Sequence, residues 1–226
     1  MQLHRAAATL ARRALSTQAT SQLPSAAYYA PTRRTEPATG SSPTNLSPQQ
    51  RRALDAAIRV DQAGEVAANW IYMGQHAVLG RDPATGALIQ EMWDQEKKHL
   101  HVMNELQTQH RTRPTTLWPV AQGAGFLLGA VTALMGREAA MACTEAVETA
   151  IGEHYDDVSQ LKELADFPDH PSIPLLRSVI EELRDDELEH LDTAVEHDAQ
   201  RAPAHALLGT VIGAGCKAAI ELCKRI

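Results

Sequence analysis

Nowhere in the 226 residues does a run of alternating Val, Ile, Thr and aromatic residues occur, which excludes a sheet-based core. Glycine and proline are also sparse, at 13 and 12, so long stretches run without a helix breaker and an all-α fold follows. Cysteine is nearly missing. Cys143, Cys216 and Cys223 are odd in number and lack paired metal-site spacing, which excludes a disulfide framework and a thiolate zinc site and fits a reducing compartment. Basic residues are outnumbered, 21 against 28 acids, for a formal charge of −7. That balance argues against a nucleic-acid partner. The length suits one buried core.

The first 45 residues have their own deficit, with no acid before Glu36 against Arg5, Arg12, Arg13, Arg33 and Arg34 amid many Ala, Ser and Thr. This is the bias of an organelle transit peptide, so 1–45 is read as a mitochondrial leader, disordered and removable, and 46–226 as the folded domain.

Four long helices are legible in that domain. Ser47-Pro48-Gln49-Gln50 carries an N-cap, a first-turn proline and a capping-box partner, so the first helix is predicted from Pro48 to about Leu79, with Gly80 as a left-handed stop. The second covers about Thr85 to His110 and the third about Arg137 to Leu164. The fourth runs from Leu175 to about Arg201, after prolines 168, 171 and 174. Two uncharged stretches, Pro114 to Gly136 and Ala202 to Cys216, fall outside this count. Each has an apolar core shorter than the about 20 residues a spanning helix needs and rich in glycine. They are read as interfacial helices, with packing helices that close the bundle as the alternative.

The chemistry lies in a repeated pattern. Glu96 with His99 and Glu187 with His190 are Glu-x-x-His pairs, each on one face of its helix, and each follows a helix with a lone glutamate, Glu65 or Glu148. One such pair is commonplace on a solvated helix. Two pairs plus two single glutamates form the ligand set of a dinuclear centre in a four-helix bundle. Four carboxylates balance two divalent ions, and oxygen with imidazole donors fits iron or manganese rather than a thiolate-type metal. Metal-dependent oxygen chemistry is the leading reading.

Supporting residues follow from periodicity. Tyr72 and Tyr155 each stand seven residues after a lone glutamate, two turns along the same stripe, where a hydroxyl can bond a ligand or relay protons and electrons. Asp186 and Asp61 are placed to orient ligand imidazoles. Gln95 takes the position before Glu96 that Asp186 takes before Glu187, which leaves the symmetry incomplete. His154 adjoins the stripe. His101, His110, His170 and His197 lack the spacing to join the set.

The strings Ile58-Arg-Val-Asp-Gln-Ala-Gly-Glu65, Met92-Trp-Asp-Gln-Glu-Lys-Lys-His99, Met141-Ala-Cys-Thr-Glu-Ala-Val-Glu148 and Arg184-Asp-Asp-Glu-Leu-Glu-His190 closely resemble the demethoxyubiquinone hydroxylase family of ubiquinone biosynthesis, and the similarity runs from about Ala53 to Ile226. The resemblance implies a ferritin-like di-iron monooxygenase with Glu65, Glu96, His99, Glu148, Glu187 and His190 as iron ligands and His154 and Tyr155 as a catalytic pair near them. Glu145 and Asp186 stand as local variations. The implied reaction hydroxylates the ring of a demethoxylated polyprenyl quinol with O₂ and two electrons, from NADH or another reductant. The implied setting is the matrix side of the mitochondrial inner membrane, peripherally bound, with a lipid-binding partner protein, a quinone-biosynthesis complex and homo- or hetero-oligomers. Another di-metal oxidase or ferroxidase, or a non-enzymatic scaffold of that complex, is the alternative from a different class.

Overall fold

The capping box written in Ser47 and Gln50 forms: Gln50 N donates to Ser47 Oγ at 3.2 Å and Ser47 N to Gln50 Oε1 at 2.9 Å. It opens helix α1, Pro48–Leu79. The computed structural model describes residues 23–155 and 166–226, and no strand occurs among them. Gly80 departs from expectation. Its φ is −61°, right-handed, and what requires glycine there is crowding, since a Cβ would lie 2.5 Å from the His76 carbonyl oxygen. Asp82 Oδ1 accepts from the Ala84 and Thr85 amides, both at 2.9 Å, in the turn that leads to α2, Gly86–His110. The left-handed stop falls instead at Arg111, with φ 54°.

Both uncharged stretches are helical: α3 is Trp118–Leu134 and α6 is His205–Cys223. Between them lie α4, Arg137–Tyr155, and α5, Ser172–Glu196. The remainder of the third predicted helix, from 156 to Leu164, lies outside the described residues. The fourth helix ends at Glu196 rather than Arg201. Asp198 takes φ 69° and a 3-10 turn, Ala199–Arg201, buries Ala199 against the bundle.

α1 pairs with α2 and α4 with α5, while α3 lies along α1 and α6 along α4. The segment through α3 is the long crossover that joins the two hairpins, the connectivity of a ferritin-like bundle. Crossover and bundle touch at backbone level. A Cβ on Gly129 would strike the Ile71 carbonyl oxygen, and one on Gly74 the Phe126 carbonyl oxygen. Two apolar layers fill the bundle, one with Leu54, Ile58, Met103, Leu106, Leu176 and Ile180, the other with Ile89, Met92, Ala140, Met141 and Ala194. Along every bundle helix the proposed ligands fall between these layers.

Disorder to residue 45 does not hold for residues 23–45, which pack on the bundle. Tyr28 is buried in the first layer, and its hydroxyl donates to Gln109 Oε1 at 2.9 Å. Ser25 N and Oγ donate to Glu182, and Arg33 makes a two-pronged bond to Glu105 at 3.0 and 2.8 Å. This strap bridges α2 and α5, and its Arg33 and Tyr28 have partners that an unfolded leader would lack. Ser42 Oγ lies 2.8 Å from Nδ1 of the buried His110.

α3 and α6 leave Val120, Leu127, Val131, Leu134, Leu207 and Val211 exposed. By length and composition His205–Cys223 is long and apolar enough to cross a membrane, which the shorter uncharged stretch alone did not suggest. The helix continues past Lys217, whose ammonium pairs with Glu153 at 2.8 Å.

Candidate metal centre

Glu65 and Glu148 stand mid-way along α1 and α4, and the Glu-x-x-His pairs occupy the facing turns of α2 and α5. The structure brings all six predicted ligands together, all buried. They form two overlapping groups, Glu65, Glu96, His99 and Glu187, and Glu96, Glu148, Glu187 and His190, with the donor atoms of each group within 4.8 Å of one another. Glu96 and Glu187 belong to both.

What each donor atom does with its hydrogen bonds sorts the roles. Glu65 Oε1 accepts from Tyr155 at 2.7 Å and Glu148 Oε1 from Tyr72 at 2.9 Å, so each of these glutamates has one oxygen engaged and one without a partner. Glu96 and Glu187 have both oxygens buried without a hydrogen-bond partner, and so are the Nδ1 atoms of His99 and His190. Buried unpartnered donors and acceptors are rare and costly. Eight of them gathered in two overlapping groups fit a pair of cations, which Glu96 and Glu187 would hold in common and Glu65 and Glu148 one each.

The imidazoles are held from behind. His99 Nε2 lies 3.0 Å from Asp186 Oδ2 and His190 Nε2 lies 2.9 Å from Gln95 Oε1. Both acceptors fix the proton on Nε2 and turn Nδ1 inward toward the carboxylates, free to take a cation. The Asp186 expectation holds. Gln95 fills the matching place for the other histidine, so the symmetry is complete in position though not in charge. Asp61 does not hold a ligand imidazole. Its Oδ1 faces His154 Nε2 at 3.2 Å, because one turn before Glu65 it looks toward α4. His154 is thereby set beside Tyr155, with ring centroids 6.2 Å apart, and does not touch the ligand group.

The tyrosines cross over. Tyr72 and Tyr155 each share a stripe with one glutamate but bond the glutamate of the opposite helix, a pairing that spacing along one helix cannot reveal. Burial, then the neighbouring carboxylates, push both phenols well up, so both stay protonated donors.

Electrostatics agree with a cation site. Burial pushes the carboxyls of Glu65, Glu96 and Glu148 up, with like charge from Glu187 adding to it. Burial works the same way on Glu187, but the two imidazoles beside it, His190 and His99, each with Nδ1 3.4 Å from one of its oxygens, outweigh it and hold this carboxylate low. For both histidines burial favours the neutral ring, and the surrounding carboxylates override it and raise them. Without metal the cluster therefore keeps protons that metal would displace.

Comparison with known proteins decides the family. The signature described as Ubiquinone biosynthesis protein COQ7 matches residues 52–223, which takes in every ligand.

The chain belongs to the COQ7 family.

Relatives of this family include the NADPH-dependent 3-demethoxyubiquinone 3-hydroxylase, mitochondrial, of Mus musculus, 53% identical over 185 residues that cover 82% of this chain and 83% of that protein. The Homo sapiens protein of the same name is 50% identical over 194 residues, 86% of this chain and 88% of its own. The 3-demethoxyubiquinol 3-hydroxylase of Rhodospirillum rubrum is 44% identical over 179 residues, 79% of this chain and 81% of its own. The COQ7 match begins four residues after α1 does, so the strap at 23–45 precedes it.

Beside the centre lies an apolar groove of about 400 Å³ between α1, α3, α4 and α6. Val60, Ile71, Leu128, Val147, Ile212 and Cys216 line it. Ile71 and Val147 immediately precede Tyr72 and Glu148, so the groove wall backs directly onto the centre. No single stretch of sequence announces this space, because four helices contribute to it.

Proposed function

We propose that this chain is a mitochondrial di-iron monooxygenase that hydroxylates the ring of a demethoxylated polyprenyl ubiquinol precursor. The hydroxylase activity in ubiquinone biosynthesis follows the names of its relatives. The observation that carries the di-iron reading is the set of eight buried, unpartnered oxygen and nitrogen atoms that face one another at the bundle centre. Glu65, Glu96 and Glu187 with His99 would hold one iron, and Glu96, Glu148 and Glu187 with His190 the other. When bound, such a pair activates O₂ with two electrons so that one oxygen enters the ring and one leaves as water.

The protein's part is binding, orientation and exclusion of water. The apolar groove suits the polyprenyl tail, whose transfer out of water contributes about 0.8 kcal/mol per CH₂ buried, and its wall leads toward Glu148. Apolar layers on both sides keep the centre dry. Tyr155 and Tyr72 hold Glu65 and Glu148 by one oxygen each. At the Glu65 side stand two separate hydrogen-bonded pairs, Tyr155 with Glu65 and His154 with Asp61. Electrons come from a reduced nicotinamide, NADPH in the names of the mouse and human relatives.

The exposed apolar faces of α3 and α6 support peripheral attachment to the matrix side of the inner membrane and docking of a lipid-binding partner and the biosynthetic complex. The removable leader ends before Leu23, because the strap from Pro24 is built into the bundle. N-terminal sequencing of the imported protein tests this, and a start beyond Tyr28 would refute it. The activity test is iron content and one anaerobic-reduction turnover of a demethoxylated quinol analogue with ¹⁸O₂, on protein that retains residues 23–226. Two irons and one labelled oxygen in the ring are expected. Labelled water or peroxide as sole product would make the protein an oxidase, and no iron would remove the centre.

A further inference from the structure

The centre is nearly twofold. Each half has a terminal glutamate capped by a tyrosine hydroxyl from the opposite helix, Glu65 with Tyr155 and Glu148 with Tyr72, and each has a histidine that presents Nδ1. One pair, Glu96 and Glu187, is common to both. Behind the imidazoles the equivalence breaks. His99 donates to a carboxylate, Asp186, and His190 to an amide oxygen, Gln95, at nearly equal distances of 3.0 and 2.9 Å. Geometry is conserved between the halves and charge is not.

A second difference lies in the same half. One turn before Glu65 stands the buried Asp61, paired with His154, and one turn before Glu148 stands Thr144, which accepts from Gln75 at 3.3 Å. The half that contains His99 therefore has two acidic groups behind its ligands where the other half has an amide and a hydroxyl.

We propose that Asp186 and Gln95 are positioning residues that make the two metal positions unequal, so that the position at His99 fills first and holds its ion more tightly than the position at His190. A carboxylate behind an imidazole draws on its N–H, raises the basicity of the opposite nitrogen and strengthens its bond to a cation. An amide oxygen does this far less. Loss of such an outer partner typically costs 10–100-fold in metal affinity, about 1.4 kcal/mol for each tenfold. This inference rests on the di-metal reading and adds an order of filling to it.

The test is an anaerobic titration of chelator-stripped full-length protein with Fe(II), followed by calorimetry. Wild type is expected to take up two ions in two resolved steps at least tenfold apart. Asp186→Asn should weaken the tight step roughly 10–100-fold and leave the weak step within about threefold, so that the steps merge. Gln95→Glu should strengthen the weak step and leave the tight one in place, and it decides the matter if Asp186→Asn does not fold. A general loss of structure would move both steps together. Equal affinities in wild type, or substitutions that shift both steps alike, would overturn the inequality while the centre stands. Uptake of no ion by wild type would overturn the centre and the inequality together.

Discussion

Tyr155 donates its hydroxyl to Glu65 across the bundle at 2.7 Å, although Glu148 lies on its own helix two turns back. The bond occupies one carboxylate oxygen of Glu65 and leaves the other without a partner. Tyr72 does the same to Glu148.

Removal of either hydroxyl frees a second carboxylate oxygen and loosens the ligand. Tyr155→Phe and Tyr72→Phe are each expected to slow hydroxylation roughly 10–100-fold with near-normal iron content and little change in thermal stability. Turnover measured beside iron analysis checks this, and loss of iron with intact fold would show that the tyrosines support binding instead.

The shared and terminal glutamates should fail differently. Glu148→Ala removes a donor from one group only and is expected to retain one metal, whereas Glu187→Ala removes a donor from both and should retain none. Activity falls to background in each. Metal stoichiometry separates the two. The metal-free form of Glu148→Ala should unfold no more easily than metal-free wild type, since the lost carboxylate is buried among like charges.

Metal affinity should fall as pH falls. The metal-free cluster keeps protons on Glu65 and Glu148, raised chiefly by burial, and on His99 and His190, raised by the carboxylates around them. Each must leave before a cation binds, so uptake releases protons and strengthens with rising pH. Proton release during Fe(II) titration in two buffers of different ionisation enthalpy measures it, and a pH-independent affinity would contradict the described cluster.

His110 gives the strap a separate pH dependence. Burial, then the charge of Arg51, lowers its imidazole from 6.5 to about 4 in the folded chain. Below the unfolded value the unfolded chain binds a proton that the folded chain refuses, so its contribution to stability is full above pH 6.5 and is lost as pH falls toward 4. The slope is up to about 1.4 kcal/mol per pH unit. Denaturant melts of wild type and His110→Asn should differ by this slope over that window and run parallel above it.

At the crossover, Gly129→Val should destabilise by about 1–3 kcal/mol or more, because the added carbons collide with the Ile71 carbonyl that α3 approaches. Gly123→Ala, on an open face of the same helix, should stabilise by up to about 1 kcal/mol. Paired thermal melts test the contrast.

Much of this was legible in the chain. The helix starts came from local chemistry, as at Ser47 and Gln50, and the six candidate ligands came from i, i+3 spacing repeated on two helices, each preceded by a helix with a lone glutamate. Features that depend on which helices face each other were not legible. Spacing placed Tyr72 with Glu65, and only the packing of α1 against α4 reveals Glu148 as its partner. Asp61 read as a support for a ligand imidazole and turned out to hold His154, since its rotation about α1 is set by α4. The packing of residues 23–45 was not legible because composition sees the arginines at 33 and 34 but not Glu105, which receives Arg33.

The crossed tyrosines also bear on assembly. Glu65 waits for a phenol 90 residues further along the chain, and Glu148 uses one supplied 76 residues before it. Glu65, Glu96 and His99 come from the first hairpin and Glu148, Glu187 and His190 from the second. Neither hairpin alone supplies either group whole, so both groups close only when the two halves dock.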